Sequence, residues 1–107
     1  MYSCGKGNFG RLGHGIEENF ERMTELRYFR NKEIRVDDIA TGGRHCLAIS
    51  DQAKRSVYVW GFNFYHQLGL GYGQSDDVLQ PLRVNLRQEV VGVQCGHLMS
   101  AILVNKK

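Results

Sequence analysis

Apolar residues in this chain come in short runs. Val36 to Thr41, His45 to Ser50, Ser56 to Trp60, Val90 to Cys95 and Met99 to Val104 are each five or six residues long. They are rich in β-branched and aromatic residues, with glycine or charge between them, and that combination predicts strands over helices. "TGGRH" (Thr41 to His45) and "CGHLM" (Cys95 to Met99) read as tight turns between antiparallel strands, with glycine supplying positive φ. "SDQAKRS" (Ser50 to Ser56) reads as a polar hairpin connection of the same kind. "LGHG" (Leu12 to Gly15) and "LGLG" (Leu68 to Gly71) mark bends, leucine pointing inward and glycines standing where a side chain would block the backbone. Helical spacing is confined to Asn19 to Phe29, where Phe20, Met23 and Leu26 lie three apart. The corresponding later stretch, "DDVLQPLRV" (Asp76 to Val84), is held extended by its proline. The earlier stretch is therefore read as a longer excursion ending in a strand, a short helix being the lesser alternative.

The same pattern occurs twice. "YSCGKGNFGRLGHG" (Tyr2 to Gly15) lies over "YVWGFNFYHQLGLG" (Tyr58 to Gly71) at an offset of 56, matching Tyr2, Gly5, Leu12, Gly13 and Gly15 to Tyr58, Gly61, Leu68, Gly69 and Gly71. "VDDIATGGRHCLAI" (Val36 to Ile49) lies over "VVGVQCGHLMSAIL" (Val90 to Leu103) at an offset of 54, matching Val36 to Val90 and Gly42 to Gly96. Two blocks recurring in the same order at one period mean a repeat architecture. Four antiparallel strands in roughly 55 residues is the arithmetic of a propeller blade.

Composition narrows the class without changing it. Hydrophobic residues at 42% and charged residues at 23% belong to a globular chain. No apolar run approaches the roughly 20 residues that span a bilayer, and "MYSCGKGNFG" lacks a secretory apolar region, so the expected compartment is the cytoplasm or nucleus and no membrane partner is expected. The net charge of +3 is small, and the most charged stretch, Glu17 to Arg35, interleaves acids with bases. That is a solvated face, not the clustered base of a nucleic-acid surface, and direct base readout is not expected. Cys4, Cys46 and Cys95 form no C-x-x-C pair and are read as buried free thiols.

"IATGGRHCLAIS" (Ile39 to Ser50) followed by "VYVWGFNFYHQLGLG" (Val57 to Gly71) resembles the repeat of the regulator of chromosome condensation family. The matching positions are Gly42, His45, Ala48, Tyr58, Trp60, Gly61, Asn63, Gln67, Leu68, Gly69 and Gly71. Met1 to Gly15 resembles the back half of another copy and Val90 to Val104 the front half of a third. The pattern weakens where Cys4 stands for Trp60, Met99 for His45, Ile102 for Ala48, and where His66 replaces the family's glycine. The resemblance implies an all-β fold of four-stranded antiparallel propeller blades, seven in the family's complete ring. Residues 1–107 are then one partial propeller region, with 1–50 a first blade-like unit and 56–104 a second. Two blades cannot close a ring, since four blades already need roughly 200 residues at this period. The expectation is a fragment, a truncated relative, or a piece completed by another chain.

Candidate chemistry begins with "GKGNFG" (Gly5 to Gly10), which spells G-x-G-x-x-G. A dinucleotide loop opens a helix, but "RLGHGIEE" follows with two more glycines; a Walker loop needs Ser or Thr after Lys6, and Gly7 stands there. A kinase glycine-rich loop would need a catalytic Asp and Mg²⁺-binding motifs, which the chain lacks. Gly7 and Gly10 correspond to Asn63 and His66, so only Gly5 belongs to the recurring glycine pattern. His14, His45, His66 and His97 show no metal-ligand spacing, and His45 is expected to bond backbone between neighbouring hairpins. Cys46 follows His45 on a strand, so their side chains point to opposite faces and form no nucleophilic pair. Trp60, Phe62 and Phe64 alternate and are expected to pack one face of a blade.

No catalytic residue, cofactor or metal ligand is therefore assigned, and the chain is read as a non-enzymatic protein-interaction module, a docking or regulatory scaffold. Gly5, Leu12, Gly13, Gly15, Gly42, His45, Trp60, Gly61, Leu68, Gly69, Gly71 and Gly96 are taken as structural repeat positions. The partner is a protein, among the candidates a small GTPase or a chain that covers the open blade faces. The family resemblance also implies two alternatives: guanine-nucleotide exchange on a Ran-type GTPase, and a segment of a large ubiquitin ligase.

Overall fold

The computed structural model describes residues 1–50, 56–71 and 73–105. The hairpin connection expected at Ser50 to Ser56 lies, apart from its two ends, outside the described residues. Among the described residues eight strands follow one another: β1 (Tyr2–Gly5), β2 (Phe20–Glu25), β3 (Val36–Thr41), β4 (His45–Ser50), β5 (Val57–Gly61), β6 (Val78–Val84), β7 (Val90–Cys95) and β8 (Ser100–Val104). One short helix, α1 (Arg27–Asn31), sits between β2 and β3. All pairing is antiparallel, in a complete four-stranded sheet β3-β4-β5-β6 flanked by two hairpins, β1-β2 and β7-β8.

The chain is thus one whole propeller blade between two half-blades. Hydrogen bonding divides it differently from the sequence units 1–50 and 56–104. Each of those units straddles two sheets, because the sequence repeat begins at the third strand of a blade. The ladder irregularities repeat with the sequence. The register shifts between Val36 and Asp38 in β3 and again between Val90 and Gly92 in β7; it shifts between Ser3 and Gly5 in β1 and again between Val59 and Gly61 in β5.

Alternation along the central strands serves two interfaces at once. Leu47 and Ile49 of β4 and Val57 and Val59 of β5 point one way, onto Val93, Cys95, Ile102 and Val104 of the β7-β8 hairpin. Ala48, Tyr58 and Trp60 point the other way, onto Leu26 and Phe29. The Phe29 ring meets Tyr58 edge-on at 5.3 Å and Trp60 at 5.9 Å between centroids. Both faces of the central sheet are apolar because both are covered, and this gives β4 and β5 their near-continuous hydrophobic runs.

Asn19 to Phe29 holds a strand, as its preferred reading has it, and the short helix of the lesser alternative follows: Phe20 and Met23 lie in β2, paired with β1, Met23 being 69% exposed, and the helix begins at Arg27. The structure corrects two other expectations. Phe62 and Phe64 do not continue the alternation of Trp60, because β5 ends at Gly61; Phe64 is exposed. Gly42, Gly43 and Gly96 in the tight turns lack positive φ. Gly42 is needed for space instead: a Cβ there would lie 2.6 Å from Nδ1 of His45 and 2.7 Å from the carbonyl oxygen of Gly96.

Positive φ belongs to the strand exits. Gly5 and Gly61, equivalent in the repeat, share φ 109°, a conformation open to glycine and costly for other residues. At Gly61 a Cβ would also lie 2.6 Å from the carbonyl oxygen of Arg44 and 2.7 Å from Cα of His45. Gly61→Val should therefore destabilise the chain by at least about 2 kcal/mol in chemical denaturation, backbone strain and overpacking acting together. Gly71→Asn should cost less than about 1 kcal/mol, because a Cβ there meets nothing within 4 Å and asparagine tolerates positive φ.

Candidate interaction surface

The junctions between blades are built from a repeated clasp. On one side of the central sheet, the Trp60 indole N–H donates to the carbonyl oxygen of Arg11 at 3.1 Å, and the Cys46 thiol donates to the same oxygen at 3.4 Å. On the other side, the Ser100 hydroxyl donates to the carbonyl oxygen of Gln67 at 2.6 Å. Gln67 is the repeat equivalent of Arg11 and Ser100 that of Cys46, so the two bonds are one interaction made twice. Leu12 and Leu68, next to those carbonyls, are both buried, and Gly13 lies so close that its Cβ would sit 2.9 Å from the Trp60 indole nitrogen.

His45, buried at the start of β4, extends the second clasp. Its Nε2 lies 3.0 Å from the Ser100 hydroxyl and 3.2 Å from the carbonyl oxygen of Met99. A carbonyl only accepts, which assigns the proton to Nε2 and leaves Nδ1 bare and without a partner. Burial pulls the His45 pKa below its ordinary value of 6.5, against the raising effect of the Met99 carbonyl and with a further lowering from His97. Turn also meets turn, the Gly43 amide donating to the carbonyl of His97 at 3.2 Å. The loop behind Gly61 is organised by buried Asn63, whose Oδ1 accepts from the Leu68 amide at 3.2 Å while its Nδ2 donates to the Gln74 carbonyl.

The other histidines serve separate places. His14 bonds Ser3 at 3.0 Å and lies 4.3 Å from the Phe20 ring, while His66 and His97 are exposed. Cys4 is exposed, contrary to the expected buried thiol; Cys46 and Cys95 are partly buried. Burial pushes the Cys46 thiol up to about 12, with Cys95 adding to the rise and Arg11 opposing it, so it stays a protonated donor.

"GKGNFG" forms the exit of β1 and a single 3₁₀ turn over Asn8–Gly10. Its amides face groups of the chain itself: the Gly7 N–H donates to Oδ1 of Asn19 at 3.0 Å and the Phe9 N–H to the Glu17 carboxylate at 2.9 Å. A carboxylate already seated on the loop both occupies a donor and repels phosphate. The backbone of Gly10 does recur, at His66, with φ 73° and 61°, although the glycine does not.

Beside this turn lies a surface that reading along the chain did not find. Phe9 from the β1-β2 connection and Phe62 from the β5 exit meet edge-on at 4.8 Å. Arg44, from the β3-β4 turn, places its guanidinium 5.2 Å from the Phe9 ring and 5.7 Å from Phe62; Arg11 adds a third contact at 5.5 Å. Phe64 and Tyr65 continue the cluster, 63% and 58% exposed. Their rings and the guanidinium come from three separate connections, so no local motif announces them. The signal present in sequence was the aromatic density of "FNFY" after a strand exit.

Comparison with known proteins gives one family. Its description is regulator of chromosome condensation (RCC1) repeat, and one model matches residues 1–49 and 56–103 while a second matches 36–67. A bifunctional serine/threonine-protein kinase/NEDD4-like E3 ubiquitin-protein ligase of Dictyostelium discoideum is 43% identical over 76 residues, 70% of this chain and 4% of that protein. The ultraviolet-B receptor UVR8 of Arabidopsis thaliana is 40% identical over 84 residues, 78% of this chain and 18% of its own length. The chain therefore spans a small part of these relatives. Among solved structures, yeast RCC1 (Prp20) bound to Kap60 superposes with a TM-score of 0.76 at 25% identity, covering 92% of this chain and 24% of that one.

The clasp carries a pH signature. Unfolded, His45 takes up a proton near 6.5; folded, its lowered pKa resists protonation, so the unfolded state binds more protons below that pH. Stability should be fully present above about pH 7 and fall as pH drops through 6.5. His45→Gln, followed by denaturant melts between pH 5 and 8, should flatten that part of the profile; an unchanged slope would count against the assignment.

Proposed function

The chain belongs to the regulator of chromosome condensation repeat family, and we propose that it is a non-enzymatic protein-interaction module, a docking or regulatory scaffold within a larger propeller. On this reading residues 1–107 are one continuous propeller region, and the recurring glycines and leucines, His45 and Trp60 serve its architecture. The observation that carries the proposal is the rim cluster of Phe9, Phe62, Phe64, Tyr65 and Arg44. Aromatic and arginine side chains are the groups that dominate protein interfaces. Here they stand on connections whose ends are held by sheet ladders, so little ordering is required on binding.

The chemistry is docking. Arg44 over two aromatic faces keeps its N–H groups available to carboxylates or carbonyls while its flat side is covered. Phe64 and Tyr65 offer apolar area beside it. The setting is the cytoplasm or nucleus; among the described residues no helix is long and apolar enough to cross a membrane. The partner is a protein.

Replacing Phe64 and Tyr65 together by alanine should leave the thermal melt within a few degrees and weaken partner capture from a cell extract by tenfold or more, the scale of losing a hot spot of about 2 kcal/mol. Met23→Ala, on exposed β2, should change nothing. If both variants capture partners as the unmodified chain does, the rim is not the docking surface. Nucleotide release from a Ran-type GTPase should stay at its intrinsic rate in the presence of residues 1–107. A tenfold acceleration would place the chain among exchange factors.

A further inference from the structure

The charge on the rim is concentrated in a guanidinium that is held in place and left unspent. The Phe62 amide donates to the Arg44 carbonyl at 2.9 Å, tying the β3-β4 turn to the β5 exit. The Arg44 side chain then lies over the Phe9 and Phe62 rings, at 5.2 and 5.7 Å. Arg44 is exposed, and among the described residues its side chain makes no hydrogen bond or ion pair. Arg11, the other cation over Phe9, is committed: its Nε donates to the Asn8 carbonyl at 3.1 Å and its Nη2 to the Asn8 Oδ1 at 2.9 Å. A guanidinium whose flat face is already covered loses little freedom on binding, and its fork of N–H donors matches a carboxylate.

The surroundings narrow the anion. A phosphate group brings about 1.5 to 2 negative charges. Here a single unspent guanidinium stands near the Glu17 carboxylate, which accepts from the Phe9 amide at 2.9 Å. A chain's terminal carboxylate is captured by a nest of backbone amides, and the rim amides are spent: Phe9 on Glu17, Phe62 on the Arg44 carbonyl, Tyr65 on the Gln67 Oε1 at 3.0 Å. What fits is a singly charged side-chain carboxylate. Beside it Phe64, its centroid 6.3 Å from that of Phe62, and Tyr65, 5.1 Å from Phe64, offer apolar area. An extended chain rises about 3.3 Å per residue, so an apolar side chain about two or three positions from the acid reaches them.

We propose that Arg44 sets the specificity of the rim, and that its ligand is an extended segment of a partner protein in which an Asp or Glu stands a few positions from a large apolar residue. The carboxylate takes the free N–H edge of Arg44 while the apolar side chain covers Phe64 and Tyr65. This rests on the docking reading of the rim and adds a division of labour to it. The aromatic residues supply buried area, and the arginine selects charge.

The test selects binders to the 107-residue chain from a random heptapeptide library displayed on phage, each peptide joined to its carrier through its C-terminus. Peptides with Asp or Glu near an aromatic or large aliphatic residue should be enriched. The tightest of them, synthesised with an amidated C-terminus and a fluorophore, should bind Arg44→Gln at least tenfold more weakly, the thermal melt of that variant being unchanged. Asn or Gln in place of the peptide's acid should cost a similar factor with the unmodified chain and nothing further with Arg44→Gln, because both changes remove one contact. Peptides that lose affinity when Phe64 and Tyr65 are replaced by alanine, but not with Arg44→Gln, would overturn this proposal and leave the docking surface standing. Insensitivity to all three positions would sink both. A library that yields no peptide sensitive to Arg44, or tighter binding of phosphoserine than of Asp at the acid position, would also overturn the proposal.

Discussion

Everything in this molecule depends on how one blade is fastened to the next, and the fastening point is a backbone carbonyl. The bend after each third-strand exit turns one C=O, that of Arg11 and then that of Gln67, toward the following blade. A buried carbonyl left without a donor would cost on the order of 1–3 kcal/mol. The donors come from the next sheet: an indole and a thiol at Arg11, a hydroxyl at Gln67. Because the acceptor belongs to the backbone, the side chain above it is free to vary. Because the donors reach across a sheet interface, they set the spacing of the blades as well as satisfying the bend.

That arrangement explains the apolar surfaces as well. A blade has two faces and no core of its own, so β4 and β5 carry mostly apolar residues where they meet a neighbour, with buried His45 as a polar exception. Leu47, Ile49 and Trp60, packed against a neighbouring sheet, are wholly buried, while Ile39 and Leu103 are 49% and 66% exposed. Leu103 is the repeat equivalent of Ile49. One position in the pattern is core or surface according to what stands beside it.

The rim cluster follows different physics. Its members are only partly repeat positions: Phe9 and Tyr65 are counterparts and both aromatic, whereas Arg44 has Leu98 as its counterpart. Repetition builds a uniform frame, and the residues that break it at the loops have the freedom to specify a partner. The "GKGNFG" turn shows the same division. Its first glycine is architectural, shared with Gly61 down to the backbone angle, while Gly7 makes room for the chain at Glu18 and Phe9 joins the rim.

Much of this was legible in the chain itself. Strand positions, the antiparallel hairpins and the blade architecture follow from run length, β-branched content and glycine placement, all of which act over a few residues. Repetition did more, since a pattern that recurs at one offset marks which residues face an interface common to both copies. What remained hidden depends on distant residues meeting. The strand at Phe20–Glu25 exists because β1 pairs with it, the complete four-stranded sheet begins at β3 and not at the first repeat residue, and the carbonyls of Arg11 and Gln67 act through atoms every residue possesses. Gly42 in the first tight turn is explained by the ring of His45 and by the carbonyl of Gly96, 54 residues further on. Local chemistry determined the elements and their order; only packing across 33 to 55 residues of sequence decided which carbonyl and which ring came to face one another.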